Sequence, residues 1–322
     1  MTPETIGSVQ DIAGALADAE TIGVVGHIGP DGDALGSMLG LTLSAREAGK
    51  TVFASFDDPF VIPDEMAYLD VSTLVPPADF PADLDVAVAV DTSVPERVGA
   101  LVGSMESART LAVIDHHLSD GSWGDVVLVD RRAAATTELV FDVIQALGWP
   151  ITPEVATALY TGVVTDTGRF QYSNTTPRTH EITARLLELG ARPADIGQKL
   201  YEEAPFGYFT LVSRVLGRAI LDEDHRFVWT MVLPEDLEAS RLEMQDIDGL
   251  IDLVRLARES DVACLLKVRE NGTIKGSLRS RGRVNVAAIA ATFGGGGHHN
   301  AAGFTAHDSV DAIIESVVAQ LP

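Results

Sequence analysis

The sequence predicts an α/β protein: a mostly parallel sheet with helices, joined by a helical linker to a smaller α/β domain. Three observations predict it. Short β-branched apolar runs alternate with helical patterns through the first half, the pattern turns helical from about residue 136, and strand signals return after about residue 220. Runs of four to seven such residues between helices or loops mark strands buried on both faces, as in parallel sheets.

Taken in order, TIGVVGH (21–27) reads as a strand and DALGSMLGLTLSAREAGK (33–50) as the helix after it. TVFASF (51–56), LDVAVAVDTS (84–93), TLAVIDHH (110–117) and DVVLVD (125–130) supply further strands. TTELVFDVIQALG (136–148), PEVATALYTGVVTDTG (153–168) and THEITARLLELG (179–190) carry apolar residues at helical spacing, with glycine stops. Residues 193–217 read as further helix connecting the domains. Beyond them RFVWTMVL (226–233), DVACLLKVRE (261–270) and TIKGSLRS (273–280) are strands, and VNVAAIAATF (284–293) and SVDAIIESVVAQL (309–321) are helices. The expected division is 1–192, a linker at 193–219, and 220–322, with no repeat of fixed period.

Composition narrows the function. At 46% apolar and 22% charged, the 322-residue chain is an ordinary globular protein, neither disordered nor fibrous. Its 23 basic and 47 acidic residues leave a net charge of −24, a poor surface for duplex DNA. Nucleotides remain accessible if cations or one basic strip handle the phosphates. The lone cysteine, Cys264, allows no intrachain disulfide and reads as a small buried hydrophobe. The first 20 residues hold no positive charge and no continuous apolar stretch, and no run of about 18 apolar residues occurs anywhere. No signal peptide and no membrane span is expected, which places the protein in the cytoplasm.

The strands of the first half other than TVFASF run into an acid or a histidine, and ligand sites of open α/β sheets lie at the carboxyl ends of strands. His27, Asp91, Asp115, His116 and Asp130 are therefore expected along one edge. In HIGPDGDALGS (27–37) a histidine and two carboxylates fall within seven residues; Asp31 and Asp33 either face two neighbouring cations or cap the following helix. Asp91 ends VAVAVD and either bridges two metals or forms an Asx turn. The Asp115-His116-His117 triplet closes its strand. Adjacent histidines on a strand point to opposite sides, so one coordinates while the neighbouring acid orients an imidazole. In TDTGRFQYSNTT (165–176), Asp166 ends a helical apolar run, and Arg169 reads equally as a salt-bridge partner or a phosphate contact.

Together His27, Asp31, Asp33, Asp91, His116 and Asp166 form a set of carboxylates and imidazoles without thiolates. Such a set suits Mn²⁺, with Mg²⁺ the second choice, and argues against structural zinc. Two cations about 3.5–4 Å apart form the clamp used for in-line displacement at phosphorus. Downstream, KVRENGTIKGSLRSRGR (267–283) holds six basic residues and one acid, while the rest of the chain sums to −29. That strip reads as a phosphate cradle. FGGGGHHNAAGF (293–304) offers backbone amides to an anion.

These segments resemble a known family. HIGPDGDALGS, VDTS, the Asp115-His116-His117 triplet and TDTGRF look like the four motifs of the DHH phosphoesterases, in order. KGSLRSR and GGGGHHNAAGF look like their DHH-associated C-terminal domain, so the likeness covers nearly the whole chain. The nanoRNase branch, oligoribonucleases that also act on 3′-phosphoadenosine 5′-phosphate, is similar in length and layout. The resemblance implies one Mn²⁺ on His27, Asp31 and Asp91, and a second on Asp33, Asp91, His116 and Asp166, with Asp91 bridging. It makes Asp115 and His117 supporting or leaving-group residues, and Arg279, Ser280, Gly296, Gly297 and His298 the substrate-phosphate residues. One departure is Gly29, where the family often has Asn before the Pro30-Asp31 pair. Expected substrates are short RNA oligonucleotides and linear dinucleotides such as pApA and pGpG, cut by a homodimer. The competing readings are a cyclic dinucleotide phosphodiesterase acting on c-di-AMP, a family II inorganic pyrophosphatase, and a non-catalytic nucleotide sensor.

Overall fold

Valine, isoleucine and alanine fill the central strands of the first half because those strands are covered on both faces. In the computed structural model, which describes residues 4–117, 122–247 and 249–322, the chain forms two units divided between residues 203 and 204. The first contains β1 (Thr5–Ile6), β2 (Thr21–Val25), β3 (Thr51–Ser55), β4 (Val86–Val90), β5 (Thr110–Asp115) and β6 (Val126–Asp130). Their spatial order is β1-β6-β5-β4-β2-β3, with β1 antiparallel to β6 and every other pairing parallel. The five strands expected between residues 21 and 130 are present.

The helices of this unit are α1 (Val9–Ala17), α2 (Gly32–Glu47), α3 (Val102–Glu106), α4 (Thr136–Leu147), α5 (Pro153–Asp166), α6 (Pro177–Glu188) and α7 (Pro193–Gly197). One sheet face, carrying Ile22, Val24, Val88, Val90 and Ile114, packs against α1, α2, α4, α5 and α6. The opposite face, with Val25, Ala87, Ala89 and Val113, is covered by Phe80, Met105 of α3 and Trp123. From β2 the chain steps outward to β3 and then returns to β4 on the other side of β2. The β2–β4 junction is thus the switch point at which α/β sheets open a crevice.

Helices α2 and α5 approach closely because the contact is made by glycine. A Cβ on Gly36 would lie 2.5 Å from Ala158 O, and one on Gly162 would lie 2.8 Å from Asp33 Oδ1. This approach brings Asp33, in the first turn of α2, beside the end of α5, which carries Asp166.

The second unit contains β7 (Ile220–Asp222), β8 (Phe227–Val232), β9 (Val262–Val268), β10 (Ile274–Ser280), β11 (Gly296–His298) and β12 (Ala301–Ala306). Its order is β11-β12-β10-β9-β8-β7, antiparallel except for the β8–β9 pair. Helices α8 (Gly207–Gly217), α9 (Pro234–Ser240) and α10 (Leu250–Val254) cover one face through Leu211, Val215, Leu250 and Val254. On the other lie α11 (Val286–Ala291) and α12 (Val310–Val318), through Ile289, Ile313 and Val317. Cys264 is buried in that second core, where burial pushes its thiol up to about 12. Among the described residues no helix is long and apolar enough to cross a membrane.

Candidate metal centre

Strands flanking the switch point deliver the side chains expected of them. His27 lies just beyond β2 and Asp91 just beyond β4, while β5 ends on Asp115 with His116 and His117 following. Asp31 is the N-cap of α2, its Oδ1 accepting the amides of Asp33 and Ala34 at 3.1 Å each. Its capping and metal-binding readings are therefore compatible, because the same side chain also faces His27. Asp33 points away from its own helix end toward the start of α4, and Asp166 closes α5.

The distances sort these residues into two groups. His27 Nε2 lies 3.4 Å from Asp91 Oδ2 and 3.9 Å from Asp31 Oδ1. His116 Nε2 lies 3.6 Å from Asp166 Oδ2, 3.7 Å from Asp91 Oδ1 and 3.8 Å from Asp33 Oδ2. In each of the triads His27–Asp31–Asp91 and Asp33–His116–Asp166, ligand atoms sit within 4.8 Å of one another. Asp91 faces the first triad through Oδ2 and the second through Oδ1. All six predicted metal ligands are thus brought together. Asp91, His116 and His117 form a third grouping of the same kind.

The donors fit divalent cations. His27 Nδ1 is 3.0 Å from the Ile28 carbonyl, which accepts, so that nitrogen carries the proton. Nε2 is buried without a hydrogen bond and faces two carboxylates. Burial lowers the pKa of this ring by more than the nearby Asp31 raises it. A neutral imidazole presenting a lone pair to two acids is a repulsive arrangement that a cation between them reverses. The acids tell the same story. Burial, then Asp33, Asp31 and Asp115, push the Asp91 carboxyl well above its ordinary range. Burial and Asp33 push Asp166 up to about 7 against the opposing pull of His116. Burial alone would depress His116, but Asp33, Asp166 and Asp115 outweigh it and raise the ring. Negative charge concentrated in a dry site calls for positive charge to offset it.

Asp115 belongs to a different arrangement. Its Oδ1 accepts from His117 Nδ1 at 2.7 Å and from the His117 amide at 3.0 Å. Burial opposes its ionisation, but the His117 bonds prevail and bring the carboxyl down to about 2. The acid of the triplet therefore orients His117, while His116 takes its orientation from Ala133 O at 3.2 Å. Asp130 ends β6 at the same sheet edge but pairs with Arg132 and stands outside both triads.

Known proteins share this layout. The DHH family N-terminal domain matches residues 21–163, and the DHHA1 domain matches residues 228–321. The bifunctional oligoribonuclease and PAP phosphatase NrnA of Thermus thermophilus is 38% identical over 282 residues, 87% of this chain and 82% of that protein. The chain belongs to the DHH family. The protein of the same name from Bacillus subtilis is 27% identical over 92% of this chain and 93% of its own length. Among solved structures, an exopolyphosphatase-related protein from Bacteroides fragilis superposes with a TM-score of 0.90 at 25% identity, covering 97% of this chain and 95% of that one.

Within the first unit, four supporting residues escaped the sequence reading. Thr136 donates its amide to Asp33 Oδ2 at 2.6 Å and its hydroxyl to Asp91 Oδ1 at 2.8 Å. Thr137 donates its amide and its hydroxyl to Asp33 Oδ1 at 3.0 and 2.9 Å. Glu138, buried and raised in pKa by that burial, accepts the Ala134 amide at 3.3 Å. Asn174 Nδ2 donates to the carbonyls of Ala134 and Asp166 at 2.9 and 3.1 Å. A sequence signal existed for the threonines: α4 starts after AAA, and its N-cap Ala135 offers no capping side chain. Alanine is a poor N-cap, so a capper had to come from elsewhere, and Asp33 is that capper.

Arg169 follows Asp166 within a left-handed run, with φ of 54°, 63° and 63° at Gly168, Arg169 and Phe170. Its guanidinium lies 3.7 Å above the Tyr201 ring, and it makes no ion pair among the described residues.

In the DHHA1 domain, strand register decides which basic residues share a surface. Arg279 and His298 both stand opposite Ala301 of β12, from its two sides. Lys275 and Ser277 share the Arg279 side of β10, whereas Ile274, Leu278 and Ser280 are buried on the other. The Ser280 hydroxyl accepts the amides of Gly282 and Val284 at 3.1 and 3.3 Å. Arg279 Nε is 3.8 Å from Asp252 Oδ1. The rest of the basic strip is engaged differently: Lys267 is buried, Arg281 donates to the carbonyls of Arg255 and Ala257, and Arg283 shares Asp261 with Arg226. Gly296 and Gly297 form edge strand β11 with His298, so the glycine run is partly strand.

Proposed function

We propose that this protein is a two-cation phosphoesterase that hydrolyses short oligoribonucleotides and linear dinucleotides to nucleoside monophosphates, with 3′-phosphoadenosine 5′-phosphate as a further substrate. The observation that carries the reading is Asp91, whose two oxygens face two separate His/Asp triads. The names carried by the Thermus and Bacillus relatives support the substrate class. Mn²⁺ is the proposed metal, on the chemistry of the donors. The proposed setting is the cytoplasm and the proposed assembly a homodimer, which light scattering tests.

In this proposal His27, Asp31 and Asp91 hold one cation, and Asp33, Asp91, His116 and Asp166 the other. When bound, such a pair supplies Lewis acidity, lowering the pKa of water and neutralising charge on phosphoryl oxygens. The protein's own groups do the rest. Asp115 fixes the His117 ring through Nδ1, an orientation that supports His117 as the donor of the leaving-group proton. Arg169 and Arg279, as planar guanidiniums, take phosphate oxygens. His298 and the strand-edge backbone at Gly296 and Gly297 complete the substrate residues, whereas Ser280, buried on the other side of β10, accepts the amides of Gly282 and Val284 and holds the turn after the strand.

The experiment is Mn²⁺-dependent hydrolysis of an RNA trinucleotide, pApA, 3′-phosphoadenosine 5′-phosphate, c-di-AMP and pyrophosphate, side by side. Conversion of the short nucleotides to monophosphates, with pyrophosphate spared, is expected. Consumption of pyrophosphate alone overturns the substrate assignment and leaves the metal centre standing.

A further inference from the structure

We propose that Thr136 is the positioning residue of the metal centre, setting which oxygen of Asp91 faces which triad. The inference rests on the two-cation reading and deepens it. A ligand shared between two cations must present one oxygen to each, and the terminal torsion of an aspartate is soft and two-fold. Something has to hold it. Asp91 sits at the end of β4 with φ of 59°, a left-handed conformation uncommon outside glycine. That backbone is fixed by its amide donating to Ile114 O at 3.0 Å. It aims the carboxyl group into the site without fixing its rotation.

The rotation is fixed by Thr136. Its fully buried hydroxyl donates to Oδ1 at 2.8 Å, on the side of the second triad, which leaves Oδ2 turned to His27. The amide of the same residue holds Asp33 Oδ2 at 2.6 Å, the oxygen that faces His116. One residue at the first position of α4 therefore clamps both the shared acid and an acid of the second triad, and sets their spacing. Thr137 holds only Asp33 and does not reach Asp91. Its loss would disturb one ligand, whereas loss of the Thr136 hydroxyl frees the ligand common to both cations.

The test is Mn²⁺ titration of the metal-stripped full-length protein, followed by calorimetry and by the EPR signal of free Mn²⁺. Thr136→Val keeps the volume and the amide bond but removes the hydroxyl; Thr136→Ser keeps the hydroxyl. Loss of a group that orients a metal ligand typically weakens binding by about 10–100-fold. The expected result is two uptake steps in wild type, one of them weakened about tenfold or more in Thr136→Val, and near wild-type uptake in Thr136→Ser. Should Thr136→Val fail to fold, Thr136→Ala against Thr136→Ser makes the same comparison without placing a methyl beside the carboxylate. Unchanged uptake in the hydroxyl-free variant, or equal weakening in Thr136→Ser, overturns the role of Thr136 while leaving the two-cation reading intact. A single uptake step in wild type overturns that reading and the inference together.

Discussion

Gly162→Ala tests whether the α2–α5 contact is part of the metal centre or only of the core. The new methyl carbon would arrive 2.4 Å from Thr137 Cγ2 and 2.8 Å from Asp33 Oδ1. To reach the 3.4 Å at which ordinary contact begins, the Asp33 oxygen must recede by 0.6 Å. Oδ1 and Oδ2 belong to one rigid carboxyl group, so the shift is passed on to Oδ2, the oxygen that faces His116, where metal–ligand distances tolerate only about 0.2 Å. The same oxygen also accepts both Thr137 bonds, so the start of α4 moves with it. Stability is affected less. Alanine gains about 1 kcal/mol over glycine in a helix interior, while overpacking costs about 1–3 kcal/mol, for a net loss of about 0–2 kcal/mol. Gly40→Ala is the control, since its Cβ meets only the Leu159 side chain, at 2.6 Å from Cδ2. Urea unfolding in chelator should show comparable losses for the two variants. Mn²⁺ titration should separate them, with Gly162→Ala binding at least about tenfold more weakly, about 1.4 kcal/mol, and Gly40→Ala unchanged. Wild-type Mn²⁺ affinity in Gly162→Ala refutes the reasoning.

Other outcomes are expected from the same geometry. Asp91→Ala should abolish turnover on every substrate while leaving the chain folded by circular dichroism; near-normal rates would remove the two-cation assignment. Asp166, raised to about 7, and Asp91, also raised, hold protons in the folded metal-free chain that the unfolded chain has released. Their contribution is fully present below about pH 4 and is lost as pH rises through 7. The melting temperature in chelator should therefore fall from pH 5 to pH 8, and added Mn²⁺ should restore more at pH 8 than at pH 5; a flat profile contradicts the charge assignment. Gly296→Ala meets no atom within 4 Å and should fold normally but raise KM for the nucleotide substrates. Gly297→Ala puts a Cβ 2.5 Å from Ala301 O at φ of 141° and should melt lower; equal melting of the two breaks the distinction between contact and packing.

What the sequence disclosed follows from what each feature depends on. Strands β2 to β6 were legible because burial on both faces leaves a run of apolar residues in the sequence itself. Of the six predicted metal ligands, His27, Asp91 and His116 were legible because parallel strands expose the residues after their last positions along one edge; Asp31, Asp33 and Asp166 were legible as acids at the start or end of a helical run. β1, β7 and β11, of two or three residues each, carry too few side chains to show a period. Thr136 and Thr137 were missed because their partner Asp33 lies more than 100 residues earlier. The basic strip shows the opposite failure. Charge counting found it, but only register separates Arg279, on the open side of β10, from Arg281 and Arg283, which hold backbone and Asp261.

The two acids of the second triad are held in different ways, and the difference bears on how the site loads. Asp33 accepts three hydrogen bonds from the start of α4, at 2.6, 3.0 and 2.9 Å. Those bonds engage amides at the start of α4 that have no helical partner, and they fix the orientation of the carboxyl group. Asp166 has no such cradle, and burial beside Asp33 drives it toward the protonated form. A cation arriving at this triad would thus meet one carboxyl group already oriented by hydrogen bonds, and would displace a proton from the other. The helix depends on the same carboxylate. With Ala135 at its N-cap, α4 takes its cap from Asp33, a contact of a kind typically worth about 1 kcal/mol. Removing that acid to abolish metal binding therefore also uncaps a helix. A loss of activity in Asp33→Ala mixes the two effects, whereas the same loss in Asp166→Ala reports on the metal alone.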